Sequence, residues 1–208
     1  MFSFGIILSM DNLIPEQELK RIKNIQGEIR GAGITEPMSF ILKKEGGSSL
    51  KKLEQSLAKM DFPMKLKKIN TTQFYPLSWG VVVQVAIKEL FDYKEEDFVK
   101  MGKYNARVSF ILKLFMKYLV SLDMVAKAAQ TMWRKYNSIG TLKVVDYSYK
   151  ERYGIVRIED FPVHPILCPI YKGYLSSIVS LVVGKETSAE ETKCVHRGDE
   201  YCEFVISW

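Results

Sequence analysis

The hydrophobic period of this chain changes at Gly140, and that change limits the folds open to it. Between Tyr104 and Tyr136, Val108, Leu112, Phe115, Leu119 and Leu122 recur at four-three-four-three spacing, the pattern of one helical face. Ala126, Ala129, Trp133 and Tyr136 continue at three-four-three, which predicts a second helix from about Asp123, terminated by Gly140. Beyond Gly140 the period is two. "GTLKVVDYSY" and "RYGIVRIED" read as paired strands around a turn near Lys150–Glu151. "CPIYKGYLSSIVSLVVG" is helical, with Pro169 in its first turn and Gly184 as its stop. Two last strands, about 188–196 and 200–208, form a terminal hairpin.

The upstream half reads as helices. A charged amphipathic helix is predicted from about Pro15 to Ile29, ended by a turn at "GEIRGAG". That glycine cluster fails the dinucleotide-binding fingerprint, since position 36 is Glu and no strand is predicted before it. "SFILKK" and "EGGSSLKKLEQSLAKM" give two short helices around Gly46–Gly47, with Ser48 or Ser49 as a cap. "YPLSWGVVVQVAIKELF" reads as a buried helix with Pro76 near its first turn, and a short acidic turn at "KEEDF" is expected to stop at Gly102. The expected fold class is α+β: an N-terminal helical part followed by a β-β-α-β-β antiparallel sheet packed against helices. The division is 1–103 for the helical part and 104–208 for the α+β part, within one compact domain.

Composition narrows the function. At 47% hydrophobic and 26% charged residues the chain is an ordinary soluble protein. Its longest uncharged apolar stretch, about "WGVVVQVAI", is too short to span a membrane. The opening "MFSFGIILSM" lacks the basic region and cleavage site of a secretory signal. Three cysteines do not make a disulfide framework, so a cytoplasmic protein with reduced thiols is expected. Net charge is +6 but uneven: −3 over residues 151–208 and +9 over 1–150. The lysines fall singly or in pairs at helical spacing, as on solvated faces, and no nucleic-acid-binding motif is present. Nor is there a phosphate loop, a HExxH or a Ser/His/Asp arrangement, so an enzyme is not expected.

Two of the three cysteines stand symmetrically about Gly198: Cys194 four residues before it, Cys202 four after. In a hairpin with its loop at His196–Glu200 they face each other, close enough to chelate one ion. Cys202 shares its strand face with Phe204, Ile206 and Trp208, so a simple buried thiol pair is the other reading. Cys168, just before Pro169, falls near a helix N-terminus, where the dipole favours thiolate. Glu190, Glu191, His164 and His196 are all candidates for a fourth donor. Spacing alone does not choose among them, and in a regular strand Glu190, not Glu191, would share the face of Cys194.

The pattern Cys168, Glu191, Cys194, Gly198, Cys202, Phe204 (C-x22-E-x2-C-x3-G-x3-C-x-F) resembles the 4-vinyl reductase domain family. That family is related to phenol-sensor domains, haem nitric-oxide-binding domains and small subunits of the transport protein particle. "MWRKYNSIGTLKV" and "YGIVRIEDF" extend the likeness to about residue 125. The resemblance implies a structural zinc ion held by Cys168, Glu191, Cys194 and Cys202. It also implies a pocket for a small hydrophobic or aromatic molecule between helices and sheet. Phe110, Phe115, Trp133, Tyr136, Tyr147 and Tyr174 are candidate lining residues, with Gly173 allowing close approach. Neither His164 nor His196 matches the pocket histidine of the phenol sensors, and the Tyr-x-Ser-x-Arg motif of the haem relatives is absent. The expected function is a small-molecule-binding sensory or regulatory domain. The alternative is a helical dimerisation or adaptor module resembling tethering-complex subunits. A homodimer or a partner protein is expected in either case, with the apolar residues 1–10 as a candidate interface.

Overall fold

The computed structural model describes residues 13–110, 112–113 and 121–208. Helices α1 (Glu16–Lys23), α2 (Ala32–Glu45), α3 (Ser49–Lys59), α4 (Leu77–Phe91) and α5 (Glu95–Val108) build the first half. Two short strands, β1 (Glu28–Arg30) and β2 (Phe74–Pro76), lie among them. Helix α6 (Leu122–Tyr136) leads into strands β3 (Thr141–Ser148) and β4 (Tyr153–Glu159), helix α7 (Leu167–Val183), and strands β5 (Ser188–Lys193) and β6 (Cys202–Ser207). The larger sheet is antiparallel in the order β3-β4-β6-β5. The α+β class and the β-β-α-β-β order of the second half are as the period change implies. No helix among the described residues is long and apolar enough to cross a membrane.

Local sequence explains most boundaries. Pro76 sits at the N-cap of α4, whose "LSWGVVVQVAI" is buried almost all round, and Gly184 ends α7 in the left-handed conformation. Ser121 caps α6 by accepting a hydrogen bond from the Met124 amide at 3.3 Å. On β4 alternate residues Gly154, Val156 and Ile158 are buried, and on β6 Cys202, Phe204 and Ile206 face them in register.

Three expectations are corrected. The first helix stops at Lys23, and the residues expected to end it form β1, which pairs antiparallel with β2. Three-residue strands carry no periodic signal of their own; this one exists because β2 pairs with it and Asn137 bridges to Ile29. So a strand does precede the glycine cluster, although Glu36 still breaks the fingerprint. The expected serine cap of α3 is also absent: Ser48 occupies the N-cap without a side-chain bond, while the Ser49 hydroxyl donates back to Gly46 at 2.6 Å.

Gly102, expected to stop a helix, lies inside α5, which continues to Val108; the 103/104 division therefore falls within this helix. Its role is close approach. A Cβ on Gly102 would run into the Ile170 carbonyl of α7, and one on Gly173 would run into the Val99 carbonyl of α5. The two glycines thus let the backbones of α5 and α7 touch.

Gly173→Ala is therefore expected to destabilise the fold by about 1–3 kcal/mol, the usual cost of overpacking. Gly47→Ala, where nothing lies within 4 Å of the added carbon, should stay within about 0.5 kcal/mol. Urea unfolding of the two variants checks this; equal effects would show that the crossing tolerates a methyl group.

Candidate functional site

Four chemistry-bearing side chains meet where the start of α7 abuts the sheet. Cys168 lies in the first turn of α7, and its amide is tied to the Pro165 carbonyl at 3.1 Å. Cys194 follows β5 and begins a tight turn. Its carbonyl accepts from the amides of Arg197 at 2.9 Å and Asp199 at 3.2 Å, and its amide donates to Asp199 Oδ2 at 2.8 Å. Gly198, at φ +97°, takes the left-handed turn that this loop needs. Cys202 opens β6.

The fourth side chain arrives through an irregularity. The β5–β6 register shifts between Glu191 and Lys193, a bulge of one residue. With that shift Glu191 and Cys194 come to the same side of the strand. One donor atom from each of Cys168, Glu191, Cys194 and Cys202 lies within 4.8 Å of the others. The three cysteines are buried and free. Glu190 and His196 are exposed. His164 is committed elsewhere: its Nε2 pairs with Glu18 at 2.7 Å and its Nδ1 accepts from the Ile166 amide at 3.1 Å.

The donor set suits a soft divalent cation. Cys168 and Cys194 sulfurs are 3.7 Å apart, too far for a disulfide. That separation is close to the edge of ~3.8 Å that a tetrahedron with metal–sulfur bonds of about 2.3 Å requires. Glu191 Oε1 is buried with no hydrogen-bond partner among the described residues, although Oε2 lies 3.5 Å from Arg197. The thiols also constrain one another. A hydrogen bond from Cys168 lowers the Cys202 thiol to about 7, while the same bond and burial push Cys168 far up. Burial raises Cys194. Crowded acids of this kind can all ionise only around a positive charge.

A second feature adjoins the cluster. A cavity of about 150 Å³, almost wholly apolar, lies between α6, α7 and the sheet, with α2, α4 and α5 closing its far end. Trp133, Tyr136, Tyr147 and Tyr174 of the sequence candidates line it. Trp133 is also held by its neighbours: its indole N–H donates to the Ile139 carbonyl at 2.8 Å, and its ring meets Phe161 edge-on at 5.0 Å. Two candidates stand elsewhere. Ser109 leaves the helical phase of α5, and Phe110 beyond it is 69% exposed; Gly173 packs on α5 at the helix crossing. Phe115, like residues 1–10, lies outside the described residues.

The lining also contains polar side chains that aromatic patterns did not point to: Glu36, Gln84, Asn105 and Asn137. The signal was a polar residue inside an apolar run, Glu36 in "GITEPMSFI" and Gln84 in "WGVVVQVAI". Glu36 accepts from the Tyr136 hydroxyl at 3.4 Å, and that hydroxyl contacts Ser109. Burial raises its carboxyl to about 8, against the smaller lowering effects of Ser109 and Tyr136.

Stability should register this carboxyl. Between about pH 4.5 and 8 the folded protein keeps a proton on Glu36 that the unfolded chain has lost, so its contribution to stability falls as pH rises. The limiting slope is about 1.4 kcal/mol per pH unit. Subtracting the profile of Glu36→Gln from that of the wild type isolates this slope from the thiol titrations. A flat difference between pH 5 and 8 would show that Glu36 titrates as an ordinary surface carboxyl.

Residues 163–207, which hold the three cysteines and Glu191, match the model of the 4-vinyl reductase domain family. No curated protein sequence matches the chain. Among solved structures the chain is similar to an H-NOX protein from S. oneidensis in the Fe(II)NO ligation state, with TM-score 0.62 and 15% identity over 86% of this chain and 98% of that one. It is also similar to an Fe(II) unliganded H-NOX protein from K. algicida, with TM-score 0.59 and 12% identity over 86% of this chain and 96% of that one. At these identities the likeness is one of fold. A haem does not fit the cavity. Its described lining offers no His, Lys or Arg to ligate iron or pair with carboxylates, and its volume suits a single ring, not a macrocycle. The chain's two histidines lie outside it. The chain thus carries a 4-vinyl reductase domain within an α+β fold like that of the H-NOX structures.

Proposed function

We propose that this protein is a small-molecule-binding domain of sensory or regulatory type, braced by a structural zinc ion. The observation that carries the reading is the apolar cavity enclosed by helices from both halves of the chain and floored by the sheet. A molecule there touches α2, α4 and α5 on one side and α6, α7 and the sheet on the other. Its occupancy therefore changes how the two halves hold together, which is what a regulatory domain needs. The lining is suited to binding rather than reaction: no nucleophile–base pair lies among its described residues.

Cys168, Glu191, Cys194 and Cys202 would hold the zinc. Four protein ligands leave no open position, so the ion would supply structure and no Lewis-acid chemistry. Held this way, the first turn of α7, the turn after β5 and the start of β6 become one rigid corner beneath the cavity.

Protein purified without chelator should carry one equivalent of zinc by elemental analysis. Glu191→Ala should lose zinc to a competing chelator at least tenfold more readily, and Glu190→Ala should behave as wild type. Less than a tenth of an equivalent, or the reverse order of the two variants, contradicts the ligand set. For the cavity, toluene is the probe. It should bind with a dissociation constant below about 1 mM by calorimetry, and Ala129→Phe, which fills the lining from α6, should abolish that binding. Equal binding by the filled variant would place toluene elsewhere.

A further inference from the structure

The polar end of the cavity is built almost entirely of hydrogen-bond acceptors. Gln84 of α4, Asn105 of α5 and Asn137 at the end of α6 line it and are only 3%, 5% and 4% exposed. The side-chain oxygen of each is buried and has no hydrogen-bond partner among the described residues. Glu36 of α2 lines the same cavity. The four come together through the helices that carry them. Asn105 lies one turn before Ser109, whose hydroxyl meets that of Tyr136, the neighbour of Asn137 and the donor to Glu36. Ile29 bridges to Asn137 and packs against Gly80, one turn before Gln84.

Leaving a buried acceptor unpaired costs on the order of 1–3 kcal/mol, so three in one cavity are a standing cost that a bound donor would remove. The number of acceptors decides which donor. A hydroxyl brings one O–H and an acceptor of its own; a carboxylate brings acceptors only and would face Glu36. A protonated amine brings three N–H donors, no acceptor, and a positive charge for a carboxyl with no cation among its hydrogen-bond partners. The rest of the lining is apolar and of a size that holds one six-membered ring.

Building on the reading of this cavity as a small-molecule site, we propose that its ligands are small apolar amines, bound with the ammonium group among Glu36, Gln84, Asn105 and Asn137. The hydrocarbon part lies toward Trp133 and the sheet. The pocket selects against carboxylates and is indifferent to neutral rings.

Calorimetry with four probes of one shape tests this on the unaltered protein: benzylamine, benzyl alcohol, benzoate and toluene. Benzylamine should bind at least tenfold more tightly than benzyl alcohol or toluene, and benzoate should not bind. Glu36→Gln should weaken benzylamine more than tenfold and leave toluene within twofold, with toluene binding itself showing that the variant is folded. Benzylamine binding no tighter than toluene overturns the amine proposal and leaves the cavity a small-molecule site; ordered water then satisfies the amides. Binding of none of the four overturns both. Preferential binding of benzoate reverses the assigned polarity and overturns the proposal as well.

Discussion

The contact between α5 and α7 is the constraint on which the rest of the molecule depends. Helix backbones normally stay apart by the thickness of their side chains. Here Gly102 meets the backbone at Ile170 and Tyr174, and Gly173 meets it at Val99 and Lys103, so each helix fills the gap in the other. That contact fixes α7 along its length. One end is set down with Cys168 facing the turn after β5. The middle presents Ile170 and Tyr174 to the cavity. The far half is fastened to the approach of β5 by Ser176, whose hydroxyl meets the Thr187 hydroxyl at 2.8 Å and whose carbonyl accepts from it at 2.7 Å. One helix thus links the cysteine cluster, the pocket wall and the sheet edge.

The cluster and the cavity solve opposite problems with the same fold. At the cluster, three thiols and a carboxyl are crowded where burial opposes their ionisation, and a cation resolves the crowding. In the cavity, acceptors are crowded where no protein donor among the described residues reaches them, and a ligand with donors resolves that. Both are places where the folded chain leaves polar groups incomplete, which a packed protein otherwise avoids. Their position is no accident of surface: each is walled by elements from distant parts of the sequence, so filling either one ties those parts together.

How much of this was legible in the sequence depended on whether a feature is local. The change from period 3.6 to period two at Gly140 is local, and the α+β order followed from it. So did Pro76 at the start of α4 and Gly184 at the end of α7. The cysteine spacing is nearly local, since β5, its turn and β6 are consecutive; the geometric objection to Glu191 came from assuming an unbroken strand, and the register shift at Thr192 is a property of the pairing with β6. Strands β1 and β2 were invisible because three residues gain their identity from a partner more than forty residues away. Gly102 was misread because a glycine that ends a helix and one that admits a neighbour look alike until the neighbour is known. The polar end of the cavity escaped a search keyed to aromatics, although Gln84 in its valine run already marked a buried group in need of a partner.

Hydrogen exchange with and without zinc tests the central claim, that a metal-locked corner supports a ligand cavity, most directly. Amide exchange would be measured on protein as purified and again after chelation, with toluene binding followed in parallel. Chelation should raise exchange at the start of α7, the turn 194–199 and β6, leave α2–α4 protected, and weaken toluene at least tenfold. Unchanged exchange in those three segments, with toluene binding intact, would contradict it: the cysteines would then be ordinary buried thiols, and the cavity would stand without them.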